Sequence, residues 1–117
     1  MKGIKIPTVG AYEVIELGEP MYKSLQAAIG GYAEIVHPRG LPRPYCMMVD
    51  EEGFLKKKPK NQVGSYLYET HIHNQPIVGD IVIVKVGDTP EGSDTVGLSD
   101  DDIAKLMQFI SEIKARI

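Results

Sequence analysis

The sequence predicts an α+β fold, a mostly antiparallel β-sheet with one short helix and a C-terminal amphipathic helix packed on one face. Three observations carry this prediction. Apolar runs of strand length come in clusters and do not alternate regularly with helical segments. The run from Ile81 to Val84 is entirely β-branched, as a buried central strand requires. Near the C-terminus Ile103, Leu106, Met107, Ile110 and Ile113 recur at helical spacing.

The first elements are two short strands, "IKIP" and "YEVIEL", separated by a turn at Gly10. In "GEPMYKSLQAAIGGY", Pro20 suits a first helical position, Met21, Leu25, Ala28 and Ile29 share a face, and Gly30-Gly31 supplies the stop. "YAEIVHP" reads as a strand and "RGLPRP" as a loop. "YCMMVDEEGFLKK" reads as a hairpin, with a strand from Tyr45 to Val49, a turn over residues 50–53 in which Gly53 takes positive φ, and a return strand at Phe54 and Leu55. "KKKPKN" is a basic loop, and "QVGSYLYE" fits either a helical turn or a strand. "PIVGDIVIVKV" supplies the central strand, entered through Gly79-Asp80, and "GDTPEGSDT" is a solvated loop. The last helix opens at Ser99, with Asp102 three residues on as its capping partner. Asp100 and Asp101 favour the positive helix start, and Lys114 and Arg116 the negative end.

The 117 residues suffice for one domain, residues 1–117, and are too few for two. An apolar fraction of 43% and a charged fraction of 25% are those of a globular chain. A net charge of −3 gives no general attraction to nucleic acid, which is therefore not an expected partner. The lone Cys46 precludes an intrachain disulfide, and the opening residues lack the pattern of a signal peptide; both fit a reducing cytoplasm. No run approaches the length of a membrane span.

Three groups of residues bear on chemistry. On a strand, Glu69, His71 and His73 would share a face, as a zinc or iron site built on an HxH motif requires. The motif is faintly similar to the first metal motif of cupins, but the glutamate expected a few residues later has no counterpart among residues 74–78. A polar strand face explains the histidines better, so no metal and no cofactor is expected. The second group is basic. Arg39 and Arg43 flank one loop, and Lys56, Lys58 and Lys60 lie in the other, in a chain that is otherwise acidic. Such cations can hold phosphates, with Tyr32 or Tyr45 stacking on a base and Asn61 reading it through hydrogen bonds. The acidic runs at 50–52 and 100–102 are explained by turn formation and helix capping, and Cys46 by burial in a strand. No nucleophile–base arrangement emerges, and an enzyme is not expected.

The pieces Gly30-Gly31-Tyr32 with Glu34, then Asp50, Glu51, Glu52 and Gly53, then Pro59 and Asn61, and finally Gly79-Asp80 give a pattern across residues 22–106. This pattern resembles a family of small proteins of unknown function found mainly in bacteriophages and mobile elements of Firmicutes. The resemblance implies the fold more than a site, and carries no catalytic residues. It implies a phage-encoded binding protein, homo-oligomeric and located in the bacterial host cytoplasm. The leading function is an anti-defence sponge that sequesters a cyclic nucleotide or cyclic ADP-ribose immune signal of Thoeris or CBASS type. A module that inhibits a host protein and a cupin-like metal-dependent enzyme using the HxH are the alternatives.

Overall fold

The β-branched run lies at the centre of a six-stranded antiparallel sheet. The computed structural model describes residues 1–117, apart from the side chains of His71 and His73. Its strands are β1 (Lys2–Ile6), β2 (Glu13–Glu16), β3 (Ala33–Val36), β4 (Tyr45–Asp50), β5 (Ile81–Thr89) and β6 (Gly92–Val96). The order across the sheet is β2-β1-β5-β4-β3, with β6 also pairing β5. The register sets Ile4 against Ile83 on one side of β5 and Met47 against Ile83 on the other. All four residues Ile81–Val84 are fully buried, because helices cover both faces of the sheet at this point.

Four helices complete the chain: α1 (Met21–Ile29), α2 (Gln62–Leu67), α3 (Thr70–His73) and α4 (Asp100–Arg116). The expected capping box is present at Ser99 and Asp102. From α4, Ile103, Leu106, Ile110 and Ile113 pack with Val63 and Leu67 of α2 on the larger face, over Ile4, Met47, Val49 and Ile83. Each buried aliphatic chain of this kind stabilises by roughly 1.5–3 kcal/mol. Met107, expected on that stripe, is 39% exposed because it sits at its margin. The short helix α1 covers the opposite face, where Leu25 and Ile29 meet Cys46, Met48, Val82 and Val84. Its Pro20 is the N-cap, one position before that expected, and the helix stops at Gly30.

Three expectations are corrected. Residues 51–57 form successive turns and no return strand, with Lys56 N–H donating to Glu52 O (3.0 Å) and Lys58 N–H to Gly53 O (3.1 Å). Leu55 is 81% exposed, and Phe54, 50% exposed, lines a small cavity with Val36, Val49 and Val78. The positive φ falls at Lys57 (55°), while Gly53 is required by close packing, since a Cβ there would lie 2.7 Å from Val78 Cγ2. "GDTPEGSDT" is no loop but the end of β5, a tight turn and β6, held by the Lys85–Val96 to Thr89–Gly92 ladder. Of the two readings open for "QVGSYLYE", the helical one holds: Gln62–Leu67 is helix α2, which Asn61 caps from within the protein. No helix among the described residues is long and apolar enough to cross a membrane.

Candidate functional site

The period-two alternation of β4 sends Met47 and Val49 to the α4 side, and Cys46 and Met48 to the α1 side. Asp50 continues the second set and arrives beneath the C-terminal end of α1, its carboxylate fully buried. Lys58 Nζ meets it at 2.6 Å and Lys56 Nζ at 2.9 Å. The same ammonium groups donate to the last carbonyls of α1, Lys58 to Ile29 O (2.9 Å) and Lys56 to Gly30 O (3.2 Å). Cations belong at that end of a helix, where the dipole is negative and carbonyls lack partners. Burial alone would raise the Asp50 carboxyl, but the bonds from Lys58, Lys56 and the Glu52 N–H, with the charge of Lys58, hold it at about 2. Gly31 leaves room for the cluster: a Cβ there would lie 2.5 Å from Lys56 Nζ and 2.6 Å from the Asp50 oxygens.

Above this cluster lies a shallow concavity of about 540 Å³, lined by Lys23, Gln26, Ala27, Gly31, Tyr32, Glu52 and Lys56. The Tyr32 ring is 63% exposed. The concavity combines an aromatic face, ammonium groups and an amide in one place, a set suited to holding an anionic ring-bearing ligand.

A second carboxylate, Asp102, occupies the opposite face, partly buried with its side chain 13% exposed. It accepts from Tyr45 Oη (2.7 Å), Lys85 Nζ (2.6 Å) and Ser99 N–H (2.9 Å). Burial would raise it, but Lys85, Tyr45 and Ser99 hold it well below the usual carboxylate range. Burial, the bond to Asp102 and its charge together push Tyr45 up to about 12. This cluster fastens α4 to β4 and β5.

Of the residues expected to form a ligand site, Lys56 and Tyr32 come together, and Lys58 joins them through Asp50. Lys60 lies elsewhere, lining a surface depression with Gln62, Ser65 and Tyr66. Arg39 and Arg43 are exposed on the loop between β3 and β4 and form no ion pair among the described residues. Two expectations are corrected. Tyr45 is packed against the larger core with its hydroxyl engaged, so its ring is not free to stack. Asn61 is fully buried: its amide donates to Ile6 O and Gly79 O, each at 3.0 Å, and its oxygen accepts from Gly64 N–H. It stitches α2 to β1 and to the bend before β5, which leaves its side chain no surface on which to read a ligand.

The metal alternative loses its geometry. Thr70–His73 is a helical turn, preceded by Glu69 as a left-handed N-cap, so positions 69, 71 and 73 do not share a face as they would on a strand. The side chains of His71 and His73 lie outside the described residues, among which no metal-binding group of His, Cys, Asp and Glu occurs. Cys46 is buried as expected, its thiol pushed up to about 11 by burial.

Sequence reasoning missed Lys23 and Gln26, which a helical projection from Met21 would have set on the solvent side of α1. It also explained Asp50 as a turn former. That is half of its role, since its carboxylate does accept from Glu52 N–H (2.9 Å). The alternation Cys46, Met48, Asp50 was the available signal that the carboxylate is buried.

Residues 1–111 match the domain of unknown function DUF3846. The chain belongs to that family. The DUF3846 match agrees with the resemblance to a family of unknown function drawn from the turn residues, and brings no activity with it. No match is found among the curated proteins or among the solved structures.

Proposed function

We propose that this DUF3846 protein binds a small anionic ligand of nucleotide type without transforming it. The observation that carries this reading is the concavity in which the exposed Tyr32 ring stands with Lys23, Lys56 and Gln26. Its volume of about 540 Å³ falls in the range of small-molecule sites. Lys23, Lys56 and Lys58 stand against two carboxylates, Asp50 and the Glu52 that also lines the concavity, so the cluster and its rim together carry one net positive charge. Tyr32 would stack on a base, and Lys56 and Lys23 would meet phosphate oxygens.

In its finer form, the protein is phage-encoded, acts in the cytoplasm of the bacterial host as a homo-oligomer, and sequesters a cyclic nucleotide or cyclic ADP-ribose immune signal. Sequestration needs affinity and no bond-breaking group, in keeping with a site that offers cations and an aromatic ring. Isothermal titration of the full chain against 3′,5′-cyclic nucleotides, cyclic dinucleotides and cyclic ADP-ribose tests it. Binding by at least one of them, weakened tenfold or more by Tyr32→Ala and by Lys23→Glu, is expected. No heat from any of them, with the fold verified by circular dichroism, overturns the reading.

A further inference from the structure

We propose that the groove between α1 and the β5–β6 hairpin docks an extended, basic segment of a partner protein along the free edge of β3. This surface adjoins the Tyr32 concavity and shares Gln26 with it, but draws on neither the Tyr32 ring nor the Gln26 amide and stands whether or not a nucleotide binds there.

The edge is open. β3 ends the strand order and pairs only with β4 among the described residues. Tyr32 O accepts from Glu51 N–H (2.9 Å), so period two turns the backbone groups of Ala33 and Ile35 away from β4. Edge strands are commonly blunted by lysine or proline, and β3 contains neither. Ala33 and Ile35 also line a groove of about 770 Å³, with Met48 and Leu25. Ile35 is 42% exposed, and Tyr22, on the same groove, 58%. A strand added to β3 would therefore gain main-chain bonds and place alternate side chains against an apolar surface.

The charge of the groove selects the occupant. Glu19, Glu91 and Asp94 line it, and no lysine or arginine does. None of the three carboxylates takes part in an ion pair among the described residues. A second copy docked through the same groove would bring like charges together. A segment with β-branched residues at its centre and lysine or arginine at both ends meets both the floor and the rim.

Fluorescence anisotropy on the full chain tests this with a labelled peptide, Lys-Lys-Val-Thr-Val-Thr-Val-Lys-Lys. Three comparisons accompany it: the same peptide with glutamate for lysine, the basic peptide N-methylated at its valines, and the basic peptide with Tyr32→Ala protein. The basic peptide is expected to bind at least tenfold tighter than either altered peptide, and equally well to Tyr32→Ala. Ile35→Lys, and separately the pair Glu91→Lys and Asp94→Lys at exposed hairpin positions, each weaken it tenfold or more with the melting temperature held. Failure of the basic peptide to bind at millimolar concentration overturns the proposal, as does equal affinity for the acidic peptide. Equal affinity for the N-methylated peptide would mean that a cation is held without strand pairing, and overturns it too. Sedimentation showing a dimer that Ile35→Lys dissociates assigns the groove to a second copy and has the same force.

Discussion

The two faces of the sheet are built to different standards. On the α4 side a seventeen-residue helix and α2 close over a large continuous core, and Asp102 pins the start of α4 to Lys85 and Tyr45. On the α1 side a nine-residue helix covers a smaller cluster, leaves Ile35 and Tyr22 partly bare, and is pinned at its C-terminal end by Asp50 with Lys56 and Lys58. The difference teaches where stability resides and where surface is left open. The thick face holds the fold, so the thin face can carry a concavity and a groove without jeopardising it.

The largest contrast should come from matched truncations. Ile110→Ala, on the sealed face, is expected to cost about 3–4 kcal/mol in urea unfolding, whereas Leu25→Ala, beside the groove, costs about 2 kcal/mol because its site is open to relaxation and solvent. Equal losses would erase the distinction. Asn61→Ala is expected to cost about 2 kcal/mol, as it removes an N-cap and leaves the buried carbonyls of Ile6 and Gly79 without their donor. The same measurement checks it.

Acid should act on both pins. The folded carboxyls of Asp50 and Asp102 are held below their unfolded values, so the unfolded chain takes up protons first as pH falls. The stability they contribute is fully present above about pH 4 and is lost as pH drops toward 2, on the order of 1–2 kcal/mol for Asp50. Urea midpoints measured between pH 5 and 2 should fall for the parent protein and fall less steeply for Asp50→Asn, which starts from a lower value at neutral pH. The smallest effect belongs to Tyr32→Ala, which should change stability by no more than about 0.5 kcal/mol, since its ring is exposed. A larger loss would make Tyr32 a packing residue.

How much of this could be read from the residues follows from how local each cause is. The helix α4 was legible in its cap, its charge order and its apolar stripe, all contained in one stretch of chain. The central strand was legible because β-branched residues in an unbroken run have few other uses. The helix α2 was not, because its start depends on an asparagine held by Ile6 and Gly79, distant in sequence. β6 has little apolar content and owes its conformation to the ladder with β5. The site was half legible. Tyr32 and Lys56 stood out by type, but their meeting with Lys23 depends on how α1, β3 and the turns after β4 are set against one another. Arg39, Arg43 and Lys60 looked equivalent in the sequence because linear proximity carries no direction.

The interior position of β1 has a consequence for synthesis. Ile4 finds its partner only when Ile83 has been made, so the centre of the sheet stays unzipped until most of the chain has left the ribosome. Until then β1 and β2 can pair only with each other, as a lone hairpin of marginal persistence. A nascent chain stalled before Ile81 would therefore display Ile4 and Ile6 to proteases and chaperones, and release from surveillance would coincide with the emergence of β5.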